Sequence, residues 1–252
     1  MSEFPEWDLA STNLRRIRER RYEVAVLPTA AIEAHNLHLP EGQDMRHAHY
    51  VALEACKVAW KKCESVVCLP PIPYGVDSNL MDFPLSMHVS QATLDAMIEE
   101  LITSARHHDI RKFVIVNGHG GNDFTPLVRK VQGETDVHVF VCNWWSVGYD
   151  RYEEFFEEPE DHAGELETSV ALELFPELVE LEHAKNGATP PFRFEALREG
   201  WVKTSRNFGL LNDHCATAPP FAASAEKGRK YLDFCIERLA GFLAELAKEP
   251  VD

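Results

Sequence analysis

The chain has 252 residues, of which 25 are basic and 41 acidic, so its formal charge at neutral pH is −16. This balance argues against nucleic acids and anionic membranes as partners, because no basic stripe is present to neutralise phosphates. No apolar run approaches the ~20 residues that span a bilayer, and the first residues lack the basic and apolar regions of a signal peptide. With six scattered cysteines and no C-x-x-C pair, these features predict a cytoplasmic protein with reduced thiols.

Apolar runs and segments of helical periodicity alternate through the first part of the chain. Strands that are apolar throughout are typical of a mostly parallel sheet with helices on both faces. No linker or internal repeat is visible, so we predict one α/β domain over residues 1–252, although the Pro- and Gly-rich segment 184–220 gives no clear assignment. The predicted strands cover 24–29, 66–71, 113–116 and 137–141, and the main predicted helices cover 44–61, 90–105, 124–131 and 224–246.

Acidic and histidine side chains follow two of the predicted strands. Glu33, His35 and Asp44 come after the first strand, and His119 lies in the Asn-Gly-His-Gly-Gly-Asn segment 117–122 after the third. In open α/β sheets, ligands bind beyond the carboxyl ends of the strands. Parallel strands would bring these loops to the same edge, so we predict that these four residues bind metal.

A third segment supplies further candidates, namely His162, Glu165 and Glu167. Carboxylates and imidazoles without cysteine suit zinc, manganese or iron. Five or six candidate ligands exceed the about three that a catalytic zinc takes from a protein. They fit two metals that share a carboxylate, for which Asp44 is suited. Two such metals deprotonate a bridging water and polarise the bond that it attacks.

Each motif taken alone also has an ordinary structural interpretation. A Glu-x-His pair such as Glu33 and His35 often lies on a surface, and segment 117–122 could be a plain turn. Asp44 could cap a helix, and His162 could cap or lie in solvent. The occurrence of all of them next to strand or helix ends favours the metal site.

Substrate contacts are predicted in two further places. Asp77, Ser78 and His88 lie in the long loop 72–89, and long loops without regular structure are often functional. Trp144 and Trp145 follow the fourth strand, where the alternative is that they pack in the core. We therefore predict these five residues as substrate-binding candidates.

These motifs resemble those of the creatininase (creatinine amidohydrolase) family. The similar segments are 33–40 with Asp44, 117–122 and 162–169, and together with smaller similarities they span most of the chain. The resemblance implies a three-layer α/β/α fold, a centre of two zinc or manganese ions and often a homo-hexamer. It implies metal-ligand roles for Glu33, His35, Asp44 and His119, with Asp44 bridging, and a catalytic role for His162.

Three departures from the family pattern are informative. Asn36 replaces the glycine that usually follows the first motif histidine. Family members that open creatinine carry a glutamate ligand at the position of Gly121 and lack an acid at the position of Glu165. We therefore expect Glu165 to supply the missing ligand, with Glu167 as the second choice and as a catalytic candidate. The exchange also argues against creatinine as the substrate.

The sequence thus predicts a hydrolase that depends on two divalent metal ions and opens a small, polar, cyclic substrate. A hydroxide bridging the metals would attack a carbonyl, and His162 would move a proton to the leaving group. An amide bond is the first choice. Ring-opening at a carbon–carbon bond of an oxidised inositol, a dehydro-scyllo-inosose, is the second. Other classes that stay open are a metal-dependent isomerase or aldolase and a non-catalytic hexamer.

Overall fold

A computed structural model describes residues 4–159 and 162–251, and its centre is a four-stranded parallel sheet of order β2-β1-β3-β4. Residues 1–3, 160–161 and 252, which the predicted domain includes, lie outside this description. Parallel pairing holds between all neighbouring strands. The strands are β1 Val24–Thr29, β2 Val66–Cys68, β3 Lys112–Asn117 and β4 His138–Asn143.

Helices cover both faces of the sheet. The α-helices are α1 Leu14–Ile17, α2 Gln43–Cys63, α3 Gln91–His107, α4 Thr125–Glu134, α5 Glu165–Leu174, α6 Glu195–Arg198 and α7 Ala225–Lys248. Val24 and Val26 of β1 belong to the core cluster that holds α2 and α7, whereas Ala25 and Leu27 belong to the cluster that holds α3 and α4. Successive side chains of a strand point to opposite faces, so one strand serves two cores. The predicted three-layer α/β/α architecture is confirmed.

The strands β1 and β3 end at the same level of the sheet. All six residues of β1 are buried, and its last residue, Thr29, is in register with Asn117, the last residue of β3. The loops that follow these strands therefore leave the sheet side by side. This edge is where the sequence predicts the metal ligands.

The segment between α5 and α7 contains little regular structure. It holds only α6 and short 3-10 helices such as Phe208–Leu210. Hydrogen bonds attach it to the loops at the carboxyl edge of the sheet, from Asn36 Nδ2 to Lys185 O at 2.8 Å and from Phe208 N to Asn79 O at 3.0 Å. The segment therefore forms one wall above the candidate site.

Among the residues that the structure describes, no helix is both long enough and apolar enough to cross a bilayer.

Candidate metal centre

Two asparagines shape the turn that presents His119. Asn117 Oδ1 accepts from the His119 N–H at 3.2 Å, and Asn117 Nδ2 donates to the His119 carbonyl at 2.7 Å. Asn122 Nδ2 donates to Asn117 Oδ1 at 3.1 Å, and Gly118 N donates to Thr29 O at 2.7 Å. Both backbone groups of His119 are thus held by one side chain, which fixes where its imidazole points.

The carboxylate of Asp44 lies between two histidines. Its Oδ1 is 3.1 Å from His35 Nε2, and its Oδ2 is 3.3 Å from His119 Nδ1. Asp44 is only 2 % exposed and lies in the first turn of α2. Each of its oxygens therefore faces a different imidazole, which is the arrangement that a shared carboxylate ligand requires.

The first group of donors consists of His35, Asp44 and Glu167. Their ligand atoms lie within 4.8 Å of one another, and Glu167 Oε2 is 3.8 Å from His35 Nε2. His35 Nδ1 donates to the Glu33 carbonyl at 3.1 Å, which leaves Nε2 as the nitrogen with the lone pair. Within the described chain, this buried Nε2 has no partner with hydrogen-bond geometry.

The second group consists of Glu33, Asp44 and His119. His119 Nδ1 is 2.9 Å from Glu33 Oε1, and His119 Nε2 is 3.1 Å from the Val76 carbonyl. A carbonyl can only accept, so Nε2 carries a proton and Nδ1 is the nitrogen free to bind metal. Asp77 Oδ1, fully buried, lies 3.1 Å from the same Nε2 but without hydrogen-bond geometry. A carboxylate oxygen of Asp77 also lies within 4.8 Å of ligand atoms of Glu33 and His119, so Asp77 is a further donor candidate beside this group.

Burial dominates the electrostatics of this cluster. It raises the pKa of Glu33 to about 8, although the His119 charge opposes the shift. Burial lowers the pKa of His35, but the nearby carboxylates of Asp44 and Glu167 outweigh it and the net shift is upward. The pKa of Asp44 moves down because the charges of His35 and His119 outweigh its own burial. Without a cation, these groups must therefore share protons.

The donor set fits divalent metal ions. Buried carboxylates are costly unless a cation compensates them, and zinc and manganese both accept carboxylate and imidazole ligands. The buried lone pair of His35 Nε2 has no described hydrogen-bond partner, and Asp44 presents an oxygen to each group. The residues present therefore suit two ions that share Asp44.

His162 lies beside the two groups. Its Nε2 donates to the Ala34 carbonyl at 2.8 Å, so its Nδ1 holds the lone pair. A ligand atom of His162 lies within 4.8 Å of ligand atoms of Glu33 and His35. Burial, followed by the charge of His35, lowers the pKa of His162 to about 3. The imidazole is therefore neutral in the absence of metal.

The two glutamates in the first turn of α5 exchange their expected places. Glu165 Oε1 contacts Lys227 Nζ at 2.5 Å, and its Oε2 accepts the N–H groups of Glu157 and Glu158, both at 2.8 Å. The structure therefore does not bring Glu165 to the metal ligands, contrary to the expectation from the sequence. Glu167, the second choice, takes that place because its side chain leaves the helix towards His35.

Three of the five substrate-binding candidates lie away from the cavity beside the metal centre. Asp77 is buried behind His119 and His88 is exposed, its Nδ1 accepting from the Asp77 N–H at 3.1 Å. Trp144 packs in the core, at 5.5 Å from the His47 ring. These three predictions are not supported, whereas Ser78 and Trp145 do line the cavity.

The cavity has a volume of about 700 Å³, and many of the residues that line it were not predicted from the sequence. Several come from the segment 184–220, which has no periodicity from which a position could be predicted. Others follow β4 in the 3-10 helix Trp144–Glu154. The additional lining residues include Asn79, Tyr149, Phe192, Thr204, Ser205, Arg206, Phe208, Leu211 and Thr217.

Comparison with known proteins gives the family. The model of the family described as creatinine amidohydrolase, or creatininase, matches residues 7–243. The chain belongs to the creatininase family. Among curated relatives of this creatininase-family chain, a mycofactocin precursor peptide peptidase from Mycobacterium ulcerans is 30% identical, over 85% of this chain and 84% of the relative. A creatinine amidohydrolase from Pseudomonas putida is 26% identical, over 88% of this chain and 89% of the relative.

A solved structure supports the same assignment. The crystal structure of a candidate creatinine amidohydrolase from Bacteroides fragilis is 33% identical, covers 98% of this chain and 99% of its own, and has a TM-score of 0.90. The predictions of a creatininase-type fold and of a metal-dependent hydrolase are therefore confirmed.

Asn36, which departs from the family's glycine, adopts a left-handed backbone with φ of 56°. Glycine reaches this region freely, and asparagine is among the few other residues that visit it routinely. The side chain of Asn36 also accepts the N–H of Lys185 at 3.0 Å and donates to its carbonyl at 2.8 Å. The substitution therefore keeps the loop and adds an attachment for the segment 184–220.

We expect Gly121→Ala to disrupt the metal centre. A Cβ at Gly121 would lie less than 3.0 Å from His119 Nε2 and the Val76 carbonyl, so the imidazole would have to move. Overpacking of this kind costs about 1–3 kcal/mol. The free energy of unfolding and the metal content, measured together, should both fall. Gly120→Ala is the matched control, because a Cβ there meets nothing within 4 Å. Equal metal binding by both variants would contradict the role given to Gly121.

Proposed function

We propose that this creatininase-family chain hydrolyses a small, polar substrate with the help of two divalent ions that share Asp44. The observation that carries the proposal is the orientation of that carboxylate, whose Oδ1 faces His35 and whose Oδ2 faces His119. A carboxylate that binds only one ion does not need its two oxygens to face different histidines. Glu167 would complete one position and Glu33 the other.

The chemistry follows from the type of ligand. Zinc or manganese ions in this donor set would lower the pKa of water and polarise the bond to be cleaved. The contribution of the chain is to hold the ligands before the substrate arrives. His35 is fixed by the Glu33 carbonyl and His119 by that of Val76, so neither imidazole needs to reorganise.

His162 is placed to move the proton. Its Nε2–H is held by Ala34, and its Nδ1 is free to accept a proton and then to pass it to the leaving group. The backbone N–H of His162 donates to Thr217 Oγ1 at 2.9 Å, which sets the position of the residue at the cavity wall. The lowered pKa keeps the imidazole neutral before the substrate binds, so the lone pair of Nδ1 is present, although it also makes the imidazole a weaker base.

The walls of the cavity favour a small polar molecule. Ser78, Asn79 and Thr217 supply hydrogen-bonding groups, while Trp145 and Tyr149 supply aromatic faces. An amide bond is the first choice because it needs both an activated water and a proton for the leaving nitrogen. The Gly121 position has no room for the glutamate that the resemblance associates with opening creatinine. A substrate other than creatinine is therefore proposed.

A turnover screen tests this function. Metal-loaded protein would be offered lactams, formamides and keto-inositols in water enriched in oxygen-18. Hydrolysis would place the label in the product, whereas an isomerase or aldolase would not. We expect His162→Asn to lower turnover by about 10²- to 10⁴-fold while metal content stays unchanged. His183→Gln, on the surface, is the control. Unlabelled product would overturn the proposal, and full activity of His162→Asn would overturn the role of His162.

A further inference from the structure

The cavity beside the metal centre contains a cationic side chain that the proposed hydrolysis does not use. Among its described lining residues, Arg206 is the one lysine or arginine. The chain as a whole carries a charge of −16. An arginine kept at the wall of a ligand cavity in so acidic a protein needs an explanation.

Neutral groups hold the guanidinium in place. Nη2 of Arg206 donates to the Pro190 carbonyl at 2.8 Å, and the guanidinium carbon lies 4.4 Å from the centre of the Phe192 ring. The side chain is half-buried. A carbonyl and an aromatic face orient the cation but do not neutralise it.

The backbone next to Arg206 is also anchored. Asn207 Nδ2 donates to Asp82 Oδ2 at 2.8 Å, and Phe208 N donates to Asn79 O at 3.0 Å. These bonds attach the segment to the loop that carries Ser78. The guanidinium thus belongs to a part of the cavity wall that is already held in place. Less conformational entropy of the protein is therefore lost when a ligand binds.

No carboxylate of residues 4–159 and 162–251 forms an ion pair with Arg206 within 4.0 Å. Other arginines of the chain do have acidic partners, for example Arg111 with Asp136 at 2.9 Å and Arg238 with Asp150 at 2.5 Å. The remaining N–H groups of Arg206 are therefore available for an external acceptor. The planar guanidinium binds carboxylates and phosphates through paired hydrogen bonds.

We propose that Arg206 binds an anionic group of the substrate, a carboxylate or a phosphate monoester, while the bond to be cleaved lies at the metal centre. The inference rests on the proposed function. The ligand carboxylates of Glu33, Asp44 and Glu167 would not repel such a substrate, because the charge of two divalent ions would offset theirs. The cavity, at about 700 Å³, is within the range of sites for small molecules.

Binding of matched acid and neutral probes tests the proposal. The carboxylate pair is 5-oxoproline, a lactam, and its carboxamide. The phosphate pair is N-formylphosphoethanolamine and N-formylethanolamine. Dissociation constants would be measured by calorimetry on metal-loaded protein. We expect at least one acid to bind about 10- to 100-fold more tightly than its neutral partner, as for a hydrogen bond to a charged group. The pair that shows the preference identifies the anion.

Variants of two arginines show where the preference arises. Arg206→Gln should abolish it, and Arg206→Lys should retain part, because lysine keeps the charge but loses the paired donors. Arg193→Gln is the matched control, since Arg193 lies in the same segment, is exposed and does not line the cavity. It should leave the preference unchanged. A preference that survives Arg206→Gln, or none in the unmodified protein, would overturn the proposal.

Metal analysis of the same samples separates this inference from the function on which it rests. Protein with two ions per chain and no preference for acids would refute the anion site but leave the hydrolase intact. Protein without bound metal that still prefers acids through Arg206 would keep the anion site and refute the metal-dependent function.

Discussion

Replacing Asp44 by alanine is expected to remove both metal ions at once. The two oxygens of its carboxylate face different histidines, so neither of the two donor groups stays complete without it. Loss of an outer partner of a ligand already lowers metal affinity by about 10- to 100-fold, and we expect a larger loss here at both positions. Elemental analysis after dialysis and calorimetric titration with zinc or manganese would measure it. Turnover should fall with metal content.

The control for this variant is Asp233→Asn on α7, where the carboxylate is 71% exposed. It should keep two ions per chain. The stoichiometry of Asp44→Ala is the decisive quantity, because a variant that loses one ion and keeps the other would show that Asp44 serves only one position. A variant that keeps both ions and full activity would remove the basis of the binuclear proposal. Circular dichroism would establish that the variant is folded.

The strands β1, β2 and β3 could be predicted from the sequence because they are buried on both faces, whereas the edge strand β4 is only partly buried. Such strands are continuous apolar runs, and the bounds predicted for the first strand, 24–29, are those of β1. The second predicted strand, 66–71, ends instead at Cys68, before Pro70 and Pro71, which lack the N–H that pairing needs. Helix starts were visible where a side chain caps them, as Ser90 does by accepting the Thr93 N–H at 3.2 Å.

The proximity of the candidate metal ligands near strand ends was predictable for the same reason. Once β1 and β3 are parallel neighbours, the loops with Glu33 and His119 must emerge together. The choice between Glu165 and Glu167 could not be made in this way. Two residues apart on a helix, their side chains point about 200° away from each other. The orientation of α5 decides which one faces the cavity, and that orientation depends on tertiary contacts.

The cavity wall was beyond sequence reasoning. Arg206 and its neighbours lie in a segment whose conformation depends on scattered attachments, such as those to Asn36, Asn79 and Asp82. None of these leaves a periodic pattern. Trp144 and Trp145 illustrate the same limit, because adjacent residues of one helix face different surroundings, core and cavity. Family motifs therefore locate the candidate metal centre, whereas the tertiary structure is needed to locate the residues that line the cavity.

The exchange of roles between the two glutamates in the first turn of α5 gives a second test, in which the two variants have opposite outcomes. Glu167→Gln should remove one metal position, because an amide is a poor replacement for a carboxylate ligand. Its carbonyl oxygen can still accept the Ala163 N–H, which the carboxylate of Glu167 accepts at 2.7 Å. The loop before α5 should therefore keep its shape. In the presence of a chelator, stability should stay close to that of the unmodified chain.

Glu165→Gln should behave in the opposite way and keep both ions. Its carboxylate is fully buried and pairs with Lys227, which is 24% exposed. Lys227 keeps a second ion-pair partner, Glu157 at 2.9 Å, so the loss is that of one charged hydrogen bond, about 1.5–3 kcal/mol. For a chain of this length that corresponds to a fall in Tm of about 3–12 °C. Calorimetry in chelator would measure this fall, so that bound metal does not contribute to the comparison.

Lys227→Gln provides the matched control, because it breaks the same pair from the other side. It should lower Tm and leave two ions bound, as Glu165→Gln does. The three variants together separate a ligand from a structural carboxylate, since metal content and stability move independently. If Glu165→Gln lost an ion while Glu167→Gln kept both, the order first expected from the sequence would be restored. The side chain of Glu165 would then have to leave Lys227 and the N–H groups of Glu157 and Glu158 when metal binds.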